Sequence, residues 1–566
     1  MKLYFHLAWD GIRKNRRLYV PYLLTGVGAA ALFYILLALA NGPVAQMNGG
    51  DSLSLILRLG SFVLAIFSAL LLFYTNSFLI RRRNREFALY NVLGMGKGNI
   101  ARILVWETLL SAGIALLGGL TLGAALSKLA ELALTHLMGG EISYSYPLSG
   151  QGALLTALFF AAIYVLILLV NIVRIRAANP VQLLRSEAAG EKPPRANWLL
   201  GAAGLVLLGA AYWLAVSIRQ PLTALVWFFI AVVMVILATY LLFIAGSVVL
   251  CRLLQKNKRF YYQKSHFVSV SSMAYRMKRN GAGLASICIL ATMVLVMLSS
   301  TTCLYSGIED SLRTRYPRNI TVTAYYNRSP ESFSKENIAA LRAQLLPAVE
   351  GAAPENVLDY RQAFLSVILD SSGEIHSDST AKLSDYEKVC CLSLIGLDDY
   401  NAMTGGSETL APSEVLVSGL RMGYSADTLT IEGGPTWRVK AQLTDAVIGG
   451  ERSADVTPTL YVIVPDLDTA MQPLEAMAER SGGNAVSHIW TYAFDTQLSN
   501  EEQIRCTDSL GDLLSGIRSQ EADDVPSTIF YEGVASNRDD FYATYGGLFF
   551  LGVLLSVGFS LAAVLI

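Results

Sequence analysis

Of the 566 residues, 53% are hydrophobic and only 16% are charged, and the mean hydropathy is +0.44. Those values exclude an ordinary soluble globular chain and indicate a membrane protein. The 44 Lys and Arg balance 44 Asp and Glu, a neutrality that conceals two regions of opposite sign.

Residues 1–17 (MKLYFHLAWDGIRKNRR) are basic and amphipathic and read as a helix lying on the inner membrane surface. The apolar run that follows exceeds twenty residues and has no small-residue cleavage site, so a cleaved signal peptide is not expected. Apolar runs able to cross a hydrocarbon core of roughly 30 Å lie at 18–40, 53–80, 104–136, 151–173, 198–217, 221–250, 283–307 and 546–566. Eight spans are therefore expected.

Between the second and third runs stands RRRNREFALYNVLGMGKGNIARILVWE, residues 81–107. Its GMGKG does not fit a phosphate-binding loop. That loop needs Gly-x4-Gly-Lys-Ser/Thr after a buried strand, whereas Asn99 replaces the hydroxyl residue and the preceding segment reads as helix. Phe87, Tyr90, Val92 and Leu93 share one helical side, and Ile100, Ile103 and Leu104 resume an apolar face beyond the glycines. The stretch thus reads as a span leaving the membrane, a short surface helix presenting Glu86, Phe87, Leu89 and Tyr90, a Gly-containing turn, and re-entry. Further on, Gly119-x-x-x-Gly123 permits close helix approach, and Lys128 and Glu131 lie near the far end of span three.

The stretch before span seven, MAYRMKRNGAGLASICIL (273–290), echoes LAWDGIRKNRRLYVPYLL (7–24). Ala274 matches Ala8, Tyr275 matches Trp9, and Asn280 matches Asn15 if one residue is skipped. Two halves built alike are suggested. Residues 308–540 then read as an α+β domain. Strands are expected at 319–326, 363–369, 414–417, 428–439 with a Gly433-Gly434-Pro435 turn, 460–464 and 486–493, and helices at 334–344, 467–480 and 500–519.

Lys and Arg number 5, 6, 5 and 8 in residues 1–17, 81–102, 174–197 and 251–280, against none in 41–52 and 137–150 and one, Arg219, in 217–222. The positive-inside bias therefore places the N-terminus in the cytoplasm and 308–540 outside. That outer segment holds 17 basic and 36 acidic residues, a net charge of about −19, and the remainder is +19.

Chemical motifs are sparse. His6, His136, His266, His376 and His488 are scattered without ligand spacing, and no nucleotide fingerprint or Gly-x-Ser-x-Gly elbow occurs. Acid pairs such as Asp466/Asp468 and Asp539/Asp540 read as a solvated acidic face, and the sequons at Asn319 and Asn327 as chance. The six cysteines give no disulfide framework; a bridge from Cys506 to Cys390 or Cys391 stays open beside free thiols. No catalytic, metal or cofactor residue is assigned, and the chain is not expected to be an enzyme or to bind nucleic acid.

Residues 81–107 resemble the coupling motif of FtsX-like ABC transporter permeases at Arg83, Glu86, Leu89, Leu93, Gly94 and Ile100. VRIRAANPVQLLR (173–185) is similar to the end of the same unit, with Asn179-Pro180 in its basic turn. Four spans, two more, then a large external domain between spans seven and eight look like the Bce-type bacitracin and lantibiotic resistance permeases.

The resemblance implies a polytopic helical membrane protein of ten spans in full, eight of them here, in a bacterial plasma membrane. Its parts would be a surface helix 1–17, a first FtsX-like unit 18–185 with coupling segment 81–103, spans five and six in 186–282, span seven at 283–307, the external domain 308–540 and the start of a truncated second unit at 541–566. It also implies a cytoplasmic ABC ATPase dimer that binds ATP and Mg and docks on Arg83, Glu86, Phe87, Leu89, Tyr90, Leu93 and Gly94. A sensor histidine kinase, membrane lipids and a cationic peptide or lipid-linked cell-wall intermediate are the other implied partners. The expected function is ATP-coupled antimicrobial-peptide resistance by protecting cell-wall lipid targets, with sensing. The alternatives are lipoprotein or lipid transport, or mechanotransmission to external cell-wall hydrolases.

Overall fold

A computed structural model describes residues 2–46, 50–138, 149–177, 198–218, 221–327, 330–377, 388–443, 457–482, 485–518 and 525–565. The chain forms two compact units: residues 1–306 with 540–566, and residues 307–539.

The first unit is helical. It comprises α1 (Lys2–Lys14), α2 (Arg16–Ala40), α3 (Gly50–Val92), α4 (Lys97–Met138), α5 (Gly150–Ala177), α6 (Trp198–Ser217), α7 (Pro221–Leu241), α8 (Ser247–Lys256), α9 (Lys258–Tyr261) and α10 (Lys264–Ser306). A π turn, Leu242–Gly246, joins α7 to α8. Among the described residues, eight helices are long and apolar enough to cross a membrane, the last being Val534–Leu565, as the apolar runs foretell.

Two boundaries depart from expectation. The expected surface helix after span two is not separate, because α3 runs unbroken for 43 residues. The basic stretches before spans one and seven also differ. The first is a distinct helix, α1, parted from α2 at Asn15, whereas the second is continuous with its span in α10. The side chains of residues 274–280 lie outside the described residues.

Helices in lipid gain little from burying apolar surface against one another, so small residues that permit close approach decide which ones pack. α2 is the most enclosed span, and its Ala29, Ala30 and Ala31 are buried. Opposite them on α4, a Cβ at Gly119 would sit 2.5 Å from the Ala30 Cβ and 3.0 Å from the Val27 carbonyl oxygen. A Cβ at Gly123 would sit 3.0 Å from the Ala31 carbonyl oxygen. The Gly119-x-x-x-Gly123 spacing is thus the α2–α4 seam. Asn76 on α3 and Asn171 on α5 exchange amide hydrogen bonds of 2.9 and 3.1 Å, satisfying two buried side chains at once.

The second unit contains α11 (Ile308–Arg315), α12 (Lys335–Glu350), α13 (Leu397–Thr404), α14 (Leu467–Ser481) and α15 (Asn500–Arg518), and α16 (Val534–Leu565) follows it. Its ten strands are β1 (Ile320–Tyr325), β2 (Glu355–Leu369), β3 (Glu374–Ser377), β4 (Val389–Gly396), β5 (Glu414–Leu420), β6 (Thr428–Ile431), β7 (Thr436–Gln442), β8 (Thr459–Val464), β9 (Ser487–Asp495) and β10 (Thr528–Gly533). They form one sheet in the order β10-β1-β9-β2-β3-β6-β7-β5-β8-β4, and β4 pairs back onto β2. Seven strands therefore close a circuit, and β9, β1 and β10 extend from the long strand β2. Trp490, Tyr326 and Phe494 are fully buried in the core.

Polar residues in this unit serve the fold. Asp466 caps α14, accepting from the Thr469 hydroxyl and from its amide at 3.0 Å. Arg361 forks onto Asp468 at 2.8 and 3.3 Å. The expected solvated acid pair is therefore a helix cap and an ion-pair partner. Asn319, the first sequon, is buried and donates to the Thr496 carbonyl at 3.0 Å. All six cysteines are free, so the bridge left open above is not formed. Burial pushes the Cys390 thiol up to about 12.

Two predictions follow from these contacts. Gly119→Val should cost about 1–3 kcal/mol through overpacking, whereas Gly113→Ala, whose Cβ meets nothing within 4 Å among the described residues, should not destabilise. Thermal melts of the purified protein in detergent measure both. The Thr469 hydroxyl and amide hold the Asp466 carboxyl below its ordinary range. Its stabilisation is therefore present above the unfolded value of about 3.9 and is lost as pH falls through the lower folded value. Asp466→Ala should cost about 1 kcal/mol at pH 7 and progressively less below about pH 4, read by amide exchange of α14 in the intact chain.

Candidate functional site

Residues 83–107 form a helical hairpin, and its turn is set by backbone chemistry. Gly94 has φ +91°, a conformation that suits glycine. The Met95 amide reaches back to the Tyr90 carbonyl at 2.9 Å and the Gly94 amide to the Asn91 carbonyl at 3.1 Å. This paired closure, a Schellman motif, ends α3 and frees the chain to start α4 two residues later.

Behind the turn, the hairpin is pinned by buried charge. Arg83 is 1% exposed. Its Nη1 donates to Glu107 Oε2 on α4 at 2.5 Å and to the Tyr19 hydroxyl on α2 at 2.6 Å, and its Nε donates to Glu86 Oε2 at 2.9 Å. Its guanidinium also lies over the Phe87 ring, 4.9 Å from the centroid. Burial alone lowers the Arg83 pKa, but the Glu107 carboxylate overcomes that and leaves it above its ordinary value, so the cation is permanent.

α1 completes the cluster. Asn15 Nδ2 donates to Glu86 Oε1 at 2.8 Å. A Cβ at Gly11 would lie 2.8 Å from Glu107 Oε1 and 3.0 Å from Arg83 Nη2, so glycine lets α1 cross directly over the ion pair. Four helices, α1 to α4, therefore meet at one charged point. Beyond it the tip is apolar and bare: Leu89, Val92 and Leu93 are 53%, 66% and 72% exposed. At the foot of the hairpin, Lys97 Nζ donates to the Arg176 carbonyl of α5 at 2.8 Å.

Residues 58–180 match the family model described as FtsX-like permease C-terminal, a stretch that contains the whole hairpin and both members of the ion pair. Similar proteins include the bacitracin export permease protein BceB of Halalkalibacterium halodurans, 26% identical over 56% of this chain and 51% of its own. BceB of Bacillus subtilis is 25% identical over 54% and 49%, and the uncharacterized ABC transporter permease YvcS of the same organism is 23% identical over 56% and 49%. These matches make the chain similar to FtsX-like ABC transporter permeases over this segment. It spans about half the length of the curated relatives it matches.

The expected docking residues divide into two groups. Leu89 and Leu93 are at the surface, Glu86 and Tyr90 are half-buried, and Gly94 forms the turn. Arg83 and Phe87 are corrections: neither is presented to a partner. Arg83 is drawn inward by Glu107, and Phe87, 3% exposed, is packed in the helical core beneath it. Burial, and then the Glu86 carboxylate, raise the Tyr90 phenol above its ordinary value. Asn179 and Pro180 lie outside the described residues.

Sequence reading missed Tyr19, Asn15 and Gly11, and it left Arg83 and Glu107 unpaired. One available signal was that a carboxylate at the start of a span needs a cation, and the nearest basic run is in the same hairpin.

One further cluster lies in the sheet unit. Ligand atoms of Asp370, Glu374 and His376 fall within 4.8 Å of one another, a grouping that histidine spacing alone did not show. Asp370 Oδ1 already accepts from the Ser372 amide, the Ser372 hydroxyl and the Glu374 amide, and His376 Nδ1 lies 3.0 Å from Glu432. These bonds shape the β2–β3 turn.

Breaking a buried pair strands a charge, so Glu107→Gln or Arg83→Met alone should cost about 3–5 kcal/mol. The double variant Arg83→Met/Glu107→Leu should sit closer to wild type than either single one. A double-mutant cycle on thermal stability in detergent decides this, and simple additivity would remove the pairing as the reason.

Proposed function

We propose that this permease is the membrane subunit of an ABC transporter whose ATP and Mg are bound by a separate cytoplasmic ATPase dimer, and that the hairpin tip is where the ATPase pushes. The reading rests on one observation: three exposed apolar side chains, Leu89, Val92 and Leu93, crown a hairpin whose base is fixed by a buried ion pair. An exposed apolar knob on a rigid mount fits a partner's groove and transmits force instead of yielding to it. Glu86, half-exposed and held from two sides, adds charge selectivity at the rim.

The positive-inside count puts this hairpin in the cytoplasm and the sheet unit, residues 307–539, outside. With a net charge of about −19 over 308–540, the sheet unit attracts cationic peptides by long-range steering. Together with relatives named for bacitracin export, this supports antimicrobial-peptide resistance in which the outer domain acts on peptides bound to lipid-linked cell-wall intermediates. A sensor histidine kinase is the further partner this reading implies.

Leu89→Asp and Leu93→Asp should each weaken ATPase docking at least about tenfold, since losing one buried leucine costs roughly 1.5–3 kcal/mol. Protein level in the membrane should be unchanged, because both side chains face outward. Co-purification of the ATPase and bacitracin susceptibility of cells measure the two consequences. Wild-type docking in both variants would remove the tip as the coupling surface. Unchanged susceptibility on deleting the permease, with mislocalised lipoproteins or chained cells instead, would redirect the function.

A further inference from the structure

α1 ends at Lys14, and α2, a membrane span, begins at Arg16. With only Asn15 between them, α1 is confined to the membrane boundary. Its Ala8, Gly11 and Ile12 are buried, and Phe5 meets Trp106 of α4 edge to face with ring centroids 5.4 Å apart. The outward side carries Leu3, Phe5 and Trp9, which are 65%, 36% and 45% exposed. Arg13 and Lys14, and Arg16 and Arg17 just after the helix, are exposed as well, and Asp10 is the one acid in residues 1–17. Apolar rings beside a cluster of four cations match the layer where acyl chains meet headgroups, and the charge selects an anionic surface.

Two side chains tie this segment to opposite arms of the hairpin. Tyr4 Oη donates to Asn99 Oδ1 on α4 at 3.0 Å, and Asn15 Nδ2 donates to Glu86 Oε1 on α3 at 2.8 Å. Asn99 and Glu86 flank the Gly94 turn, so α1 is fastened across the hairpin's base.

We infer that α1, with Arg16 and Arg17, is a binding surface for anionic phospholipid headgroups, and that this lipid contact holds the coupling hairpin in place through Tyr4 and Asn15. The role of the hairpin in coupling rests on the function proposed above; the lipid site and the brace do not. Each cation near an anionic leaflet is worth about a fivefold preference, so the four together give a strong selection over zwitterionic lipid.

The test reconstitutes the permease, alone and with its ATPase, in nanodiscs of phosphatidylcholine or of phosphatidylcholine with phosphatidylglycerol. Hydrogen exchange of residues 86–99 in the permease alone reads the brace without any ATPase. Amides there should exchange at least about tenfold more slowly in the anionic discs. The quadruple variant Arg13→Gln/Lys14→Gln/Arg16→Gln/Arg17→Gln should abolish that difference. Tyr4→Phe/Asn15→Ala should also abolish it, while native mass spectrometry still finds phosphatidylglycerol retained.

Equal exchange in both discs for the wild type, or a lipid effect that survives the quadruple variant, overturns the inference. So does inorganic phosphate reproducing the slowing in phosphatidylcholine discs. If exchange responds to lipid while stimulated ATPase does not, the lipid site and brace stand and the coupling reading of the hairpin fails.

Discussion

A guanidinium and a carboxylate at the edge of a hydrocarbon layer cannot stand apart, because neither has water to fall back on. Arg83 and Glu107 satisfy each other at 2.5 Å, and much of the helical unit is arranged around that necessity. Tyr19 donates to Glu107 at 3.2 Å while accepting from Arg83, which ties in α2. Gly11 removes the Cβ that would keep α1 away. Glu86 divides its two oxygens between Arg83 and Asn15. Among the described residues, Glu107 Oε1 has no hydrogen-bond partner. Such a cluster specifies one arrangement of four helices more than it adds net stability.

The rest of the helical unit follows a different rule. Away from the ion pair, contact is decided by which side chains are missing. Gly119 and Gly123 admit α2 against α4, and the side chains of Leu53 and Leu551 occupy the space that a Cβ at Gly547 and at Gly60 would take, which seats α16 on α3. Charge fixes the hairpin end of the bundle and glycine fixes its middle. The two devices act on the same helices, so a displacement at one is felt at the other.

Much of this architecture was legible in the sequence. Eight apolar runs gave eight spans because length and hydropathy leave few alternatives in a bilayer. Six strand regions and three helices of the sheet unit fell where alternation and caps put them. β3 was missed because it is four residues long, β10 because TIFYEG does not alternate, and β4 because VCCLSLIG is nearly all apolar and carries no alternation. The fusion of the surface helix with α3 was hidden because a run of arginines looks like a boundary. Arg82 and Arg83 instead continue the helix, one over the Phe78 ring and the other folded inward. The inward turn of Phe87 was hidden for the same reason: periodicity gives a face, but only the partner of Arg83 says which face is inside.

The continuity of α3 has a mechanical meaning if the hairpin is the point of ATPase contact. A helix of 43 residues is about 65 Å long at 1.5 Å per residue, and no π turn or proline interrupts it to absorb a displacement. Force applied at Leu89 therefore moves the Gly50 end of the same rod. There Ser54 bonds the Ala40 carbonyl at 3.0 Å and Arg58 bonds Asn41 at 2.9 Å, which fastens α3 to the end of α2. The first half of α3 also carries Leu53 and Gly60, the residues that seat α16, and α16 follows β10 directly in the chain. One unbroken helix thus links the hairpin tip to α16. In contrast, the span formed by α7 and α8 is broken by a π turn at Leu242–Gly246, a place where helices yield. A push delivered at the hairpin would meet an unbroken rod in α3, whereas the π turn gives the α7–α8 span a place to bend.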